Sequence, residues 1–197
     1  MNPLKTHFRA RPPGRHRGLF LGQMLRRPGQ VGAVSPSSRA LGRMMTRDLG
    51  PETGAVVELG GGTGRITEAI LARGVPAGKL AVYEMDPAFA AILRRRFPDV
   101  TVIEADACAI AATPLDDVGA VVSSLPMLSI PLPVQRRIVE GAFQLLRPGG
   151  VFIQFTYGWR PSIDRSIRES LALDWTVSPW VLVNVPPARV YTFRKMM

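Results

Sequence analysis

Three short stretches set carboxylates and bare backbone at the ends of apolar runs, where an α/β sheet binds its ligands. The first is Val56-Val57-Glu58-Leu59-Gly60-Gly61-Gly62-Thr63-Gly64-Arg65, a strand-like run that enters glycines and then a helical pattern. Glycines in such a turn let the backbone approach a ligand closely. A dinucleotide fingerprint needs a further glycine where Arg65 stands, which disfavours NAD. A phosphate-binding P-loop fails at Gly74 to Leu80, where the spacing is wrong and neither Ser nor Thr follows Lys79. The glycines therefore suit another nucleoside ligand. The second stretch is Tyr83-Glu84-Met85-Asp86, with Glu84 ending a second strand-like run 24 residues after Gly60. A carboxylate there accepts both ribose hydroxyls. The third is Glu104-Ala105-Asp106-Ala107, where Asp106 can accept from an adenine amino group while a neighbouring backbone N–H meets the ring. Each alone is ordinary, a surface acid or a packing glycine. In this order they fit one adenosine-bearing molecule.

The elements that must hold these groups alternate in type. Strands are predicted at 55–59, 80–84, 100–104, 119–123 and 151–155, with helices at 65–73, from Asp86-Pro87 to about Phe97, and at 133–146. Arg147-Pro148-Gly149-Gly150 reads as the turn before the fifth strand. Val181 to Val185 and Val190 to Phe193, flanking Pro186-Pro187, predict an antiparallel terminal pair. Alternating strands and helices argue for a parallel α/β sheet.

Charge divides the chain. Residues 1–50 carry Lys5 and nine arginines against Asp48 alone, a net of +9, whereas the other 147 residues are near neutral at +1. A cationic arm of this kind meets phosphate, on nucleic acid or on a membrane surface. Within it, Phe20, Leu21, Met24 and Leu25 form one apolar helical face beside Arg26 and Arg27, stopped by Pro28. A second helix is predicted from a Ser35 cap and Pro36, with Leu41, Met44 and Met45 on one side and Arg39, Arg43 and Arg47 on another. The expected division is an arm at 1–49 and a ligand-binding domain at 50–197. No run of about 18 apolar residues exists and no secretory leader is recognisable, so the chain is expected in the cytoplasm. The single cysteine, Cys108, excludes an internal disulfide, and with two histidines no metal site is expected.

Glu58-Leu59-Gly60-Gly61-Gly62-Thr63-Gly64, Glu84, Asp106 and the Arg147-Pro148-Gly149-Gly150 turn together resemble the class I S-adenosylmethionine-dependent methyltransferases over about residues 50–197. The resemblance implies a Rossmann-like, seven-stranded, mostly parallel sheet with an antiparallel last strand. It implies S-adenosylmethionine as cofactor and S-adenosylhomocysteine as product. Gly60, Gly62 and Gly64 would line its methionine and ribose, Glu84 the ribose and Asp106 the adenine. Glu58, Gly61, Thr63, Met85, Ala107 and Ser123 complete the expected contacts, with Ser37 and Ser38 either closing over the cofactor's carboxylate or only capping a helix.

The residues after the fourth strand narrow the substrate. Enzymes that methylate the adenine amino group carry an [N/D]-[L/P]-P-[Y/F] motif there, whereas Ser124-Leu125-Pro126-Met127 lacks both the amide or acid and the aromatic ring. With residues 32–41 and Gln154-Phe155-Thr156-Tyr157-Gly158, this resembles the bacterial phospholipid N-methyltransferases, which convert phosphatidylethanolamine stepwise to phosphatidylcholine. That resemblance implies a phospholipid substrate, an anionic membrane surface as partner, a monomer, and attachment at the inner face of the membrane through Phe20, Leu21, Met24, Leu25, Arg26 and Arg27. Nucleic acid is not expected as a partner. Ser123, Ser124, the Leu125 carbonyl and Tyr157 are the candidates to meet the reacting amine, and Arg39 or Arg160 to meet the head-group phosphate. The competing readings are an rRNA adenine N6-methyltransferase or other nucleic-acid methyltransferase, and a non-catalytic membrane-binding module.

Overall fold

Ala55–Leu59 (β1) is buried along its whole length, as a strand with neighbours on both sides and helices on both faces must be. The computed structural model describes residues 38–196. In it β1 pairs in parallel with Leu80–Tyr83 (β2) and Val118–Ser123 (β4). β2 pairs with Thr101–Ile103 (β3), and β4 with Leu146–Thr156 (β5). The sheet closes with Arg189–Lys195 (β7), antiparallel to β5, and Leu173–Val177 (β6), antiparallel to β7. The order is β3-β2-β1-β4-β5-β7-β6, so seven strands form one α/β sheet with the reversed strand expected from the sequence.

Alternating residues feed two apolar layers. Val57, Leu59 and Val121 lie in the layer under Leu132–Leu145 (α4), which contributes Ile138, Val139 and Ala142. Val56, Val82 and Val122 lie in the layer under Arg65–Leu71 (α2) and Pro87–Arg96 (α3), with Ile66, Ile70 and Leu93. Arg39–Met45 (α1) joins the second layer through Leu41 and Met45, both fully buried. The last described helix, Arg165–Ser170 (α5), buries Ile167 in the first layer.

Three sequence expectations change. First, α1 is described from Arg39 with Ser38 as its cap, the Ser38 hydroxyl accepting from Leu41 N, while Ser35 and Pro36, expected to begin it, lie outside the described residues. The expected helix at Phe20 to Leu25 lies outside the described residues, as do Arg26, Arg27 and Ser37. Second, the partner of β7 is β6, while Val181 to Val185 makes only a bridge between Val181 and Ala188. Pro179, Pro186 and Pro187 supply no ladder donors around that segment, whereas Leu173–Val177 is uninterrupted. Third, Arg147-Pro148-Gly149-Gly150 is a bulge inside β5, because register shifts where Leu146 pairs with Val118 and Val151 with Ala120.

Candidate active site

The carboxyl ends of β1 to β6 and the start of β7 share one edge, and the residues singled out by chemistry gather there. After β1 the chain turns through the glycines, with Gly60 and Gly61 N–H groups both donating to Tyr83 O, at 2.9 and 3.2 Å. Glu84, 4% exposed, sits at the end of β2 and locks this turn. Its Oε2 accepts from Gly62 N at 2.8 Å and its Oε1 from Asp86 N at 2.9 Å. Each carboxylate oxygen has a second lone pair, so acceptor capacity remains for a diol. Asp86 caps α3, accepting from Ala88 N and Phe89 N.

The glycine turn fits a nucleoside cofactor. Gly62 has φ +51°, and a Cβ placed there would meet no atom within 4 Å, so the loop opens onto space at the position Glu84 holds. Gly61 differs, since its Cβ would stand 2.4 Å from Val82 Cγ1 and 2.8 Å from Leu93 Cδ1. Gly61→Ala is therefore expected to lower the unfolding free energy by about 1–3 kcal/mol through overpacking. Gly62→Ala is expected to weaken cofactor binding about tenfold or more by filling ligand space, with only about 1 kcal/mol lost to the left-handed backbone. Thermal unfolding paired with calorimetric titration of cofactor separates the two.

Glu58 lies one layer deeper, fully buried, with Oε2 accepting from the Thr67 hydroxyl at 2.6 Å and Oε1 lacking a partner. Burial pushes its carboxyl up to about 8, the Thr67 hydrogen bond opposes this, and the Glu84 charge adds to the rise. Glu58 is therefore largely a neutral acid at pH 7. At the end of β3, Asp106 is exposed and caps the short 3-10 helix Ala107–Ala112, its Oδ1 accepting from Cys108 N at 2.7 Å. Burial and then Asp106 push the Cys108 thiol up to about 11, which leaves it protonated and removes it as a nucleophile. Met85 and Ala107 pack beside the first apolar layer, and Thr63 is exposed.

Beyond β4 the remaining candidates separate by hydrogen bonding. Ser123 is fully buried and its Oγ accepts from Leu125 N at 3.4 Å. The Leu125 carbonyl accepts from Gln154 Nε2 at 3.0 Å. Ser124 Oγ, Gln154 Oε1 and the Tyr157 hydroxyl are all buried with no hydrogen-bond partner. Ser124 follows β4 and Tyr157 follows β5, whereas Gln154, paired with Ser123 in the β4–β5 ladder, shares with Phe152 the face of the first layer, and Tyr157 packs with Phe155 on the second. Burial raises the Tyr157 phenol, with the Asn184 amide opposing. That amide is otherwise engaged, its Nδ2 donating to Pro186 O at 2.7 Å and its Oδ1 accepting from Ser38 N at 3.0 Å, so the two side chains are neighbours without a well-aligned bond. Ser38 thus caps α1 and is tied to the β6–β7 connection beside Tyr157. Arg39 and Arg160 are exposed.

Several participants escaped the sequence reading. Thr67 looks like any helical threonine, and Asn184 like a loop residue. Arg96 belongs to a run that reads as complementing the dipole of α3, yet its guanidinium donates to Thr63 O in the glycine turn and lies 4.9 Å over the Phe97 ring. Among the described residues no group of His, Cys, Asp and Glu is arranged to hold a metal ion.

Residues 56–150 match the family model described as "Methyltransferase domain". An "Ornithine lipid N-methyltransferase" of Singulisphaera acidiphila is 36% identical over 146 residues, covering 70% of this chain and 76% of its own length. The chain belongs to the class I S-adenosylmethionine-dependent methyltransferases. The methyltransferase is also 28% identical over 141 residues to "Probable ribosomal RNA small subunit methyltransferase A" of Methanococcoides burtonii, where 70% of this chain matches half of that protein. Its fold is shared with the glycopeptide N-methyltransferase MtfA solved with S-adenosylmethionine, at TM-score 0.61 and 16% identity, over 83% of this chain and 96% of that one. The cofactor of the methyltransferase is S-adenosylmethionine.

Proposed function

We propose that this methyltransferase N-methylates the primary amine of a membrane aminolipid at the membrane surface, with phosphatidylethanolamine and its mono- and dimethyl forms as substrates. The observation that carries this reading is the pair of buried, unpartnered polar atoms that follow β4 and β5: Ser124 Oγ and the Tyr157 hydroxyl. Acceptors left without donors in a protein interior are costly, and a ligand that brings N–H groups satisfies them. An aliphatic amine is such a ligand. Its nitrogen must first lose a proton, which passes to solvent, and a desolvated pocket favours the neutral form. When bound, the cofactor supplies an electrophilic methyl group on a sulfonium. Ser124 and Tyr157 then hold the amine by its N–H groups, and alignment is the main catalytic contribution of the chain. The Tyr157 phenol stays protonated because burial raises it, so it acts as an acceptor rather than a base, and its ring face suits an increasingly methylated cation.

The relative from Singulisphaera acidiphila bears a name that specifies a lipid amine, which supports the substrate class and adds ornithine lipid as a second candidate. In either head group an anionic function accompanies the amine, and Arg39 and Arg160 are assigned to it. Phe20 to Arg27 would hold the enzyme on the inner face of the membrane, where apolar side chains and arginines act together. Among the described residues no helix is long and apolar enough to cross a membrane. The test is transfer of labelled methyl from S-adenosylmethionine to vesicles of phosphatidylethanolamine, to vesicles of ornithine lipid, and to ribosomal RNA. Label is expected in one aminolipid, resolved into mono-, di- and trimethylated products. Labelled RNA beside unlabelled lipid overturns the proposal.

A further inference from the structure

Large apolar side chains are unevenly exposed along the carboxyl edge of the sheet. Leu182, Val183 and Val185, in the connection between β6 and β7, are 72%, 74% and 76% exposed, and Trp159 after β5 is 77% exposed. Leu128 after β4 is exposed too, at 69%. The turns after β1, β2 and β3, which carry the cofactor side of the site, hold no exposed large apolar residue among those described. Single exposed apolar residues such as Met196 are normal on any protein, but Leu182, Val183, Val185, Trp159 and Leu128 gather on one half of one edge.

The tip is built to hold these side chains outward. Val181 pairs with Ala188 across its base, Asn184 N donates to Val181 O at 3.2 Å, and the buried Asn184 side chain bonds Pro186 O and Ser38 N. Trp159 packs edge-on against Trp180 with centroids 4.9 Å apart, and the Arg189 guanidinium lies 5.3 Å over the Trp180 ring. Arg160 and Arg189 stand beside the apolar tip, and no Asp or Glu occurs in residues 141–163 or 175–197, while Asp164 caps α5 beyond Arg160. We propose that the β6–β7 connection, with Trp159, inserts into an anionic lipid surface and so presses the mouth of the site against the bilayer. This deepens the aminolipid reading and rests on it. Lipid is favoured over a second copy of the chain because an isologous contact through this patch would bring Arg160 and Arg189 of both copies together, and the carboxylate next in sequence, Asp164, is engaged in capping α5. Apolar side chains flanked by arginines and an amphipathic Trp are instead what the bilayer interface takes up.

The full chain is compared with the triple variant Leu182→Asp, Val183→Asp, Val185→Asp and with Met196→Asp, which places a charge at the exposed end of β7 on the opposite edge. Partition onto vesicles containing phosphatidylglycerol, quenching of tryptophan fluorescence by lipids brominated in their acyl chains, cofactor affinity and methyl transfer to aminolipid vesicles are measured together. The triple variant is expected to partition on the order of 100-fold more weakly and to lose quenching, with cofactor affinity unchanged and Met196→Asp like the parent. Equal partition and equal quenching in the triple variant overturn the proposal, as does a dimer in the parent that the same substitutions dissolve. Lost partition with the parent labelling no aminolipid keeps the inserting surface and removes the substrate reading; aminolipid labelled equally by parent and variant, with partition unchanged, does the reverse.

Discussion

Glu84→Ala is expected to weaken S-adenosylmethionine binding about 100-fold, because two hydrogen bonds to a charged group contribute on the order of 3 kcal/mol together. In the parent the carboxylate accepts from Gly62 N and Asp86 N, so it both shapes the glycine turn and presents the remaining lone pairs to a ribose. Alanine leaves two backbone donors unmet and removes the diol acceptor. Glu84→Gln keeps the shape but turns an N–H group toward one of the two backbone donors, and a loss of about tenfold is expected for it. Isothermal titration of both variants is the measurement. Affinity equal to the parent in the alanine variant would show that the cofactor does not lie against this carboxylate.

The second large effect concerns Glu58 and pH. Its folded-state pKa of about 8 lies above the ordinary 4.5, so below about pH 4.5 folded and unfolded chains both hold the proton and the group is without effect. Between those values the unfolded chain ionises while the folded chain keeps its proton, and stability falls as pH rises. Above about 8 the decline stops. At about 1.4 kcal/mol per pH unit, the whole window amounts to several kcal/mol. Glu58→Gln cannot ionise, and its side-chain oxygen can still accept from Thr67 Oγ1 where Oε2 does in the parent. Denaturant unfolding of the cofactor-free variant is expected to show no such decline between about pH 5 and pH 8, and the variant to be the more stable protein at the upper end. A variant whose stability tracks the parent across this window would place the proton elsewhere.

The glycine turn, the acid that ties it and the helix after it were legible because their signals are local. A strand running into Gly60-Gly61-Gly62-Thr63-Gly64, a carboxylate ending the next strand, and Asp86-Pro87 opening a helix depend on neighbours a few residues away. The central parallel strands were legible for a related reason: buried on both faces, they are near-continuous apolar runs. β6 was not. Only Leu173 of its five residues is buried, and Asp174 and Thr176 dilute the pattern, whereas Val181 to Val185 reads as a strand although Leu182, Val183 and Val185 face solvent. The bulge in β5 escaped for a like reason, since Pro148-Gly149-Gly150 carries the composition of a turn while the ladder to β4 resumes beyond it.

The amino-acid order by itself determined the sheet class, the glycine turn with an acid closing the next strand, and the concentration of positive charge before residue 50, all of which follow from periodicity and short spacings. Tertiary structure alone decided which polar atoms around the ends of β4 and β5 lack partners, because hydrogen-bond satisfaction depends on everything that packs around an atom. It also decided that Ser38 and Asn184, 146 residues apart, meet beside Tyr157. Such a contact forms only after the sheet has ordered the chain between its ends, so no local pattern announces it.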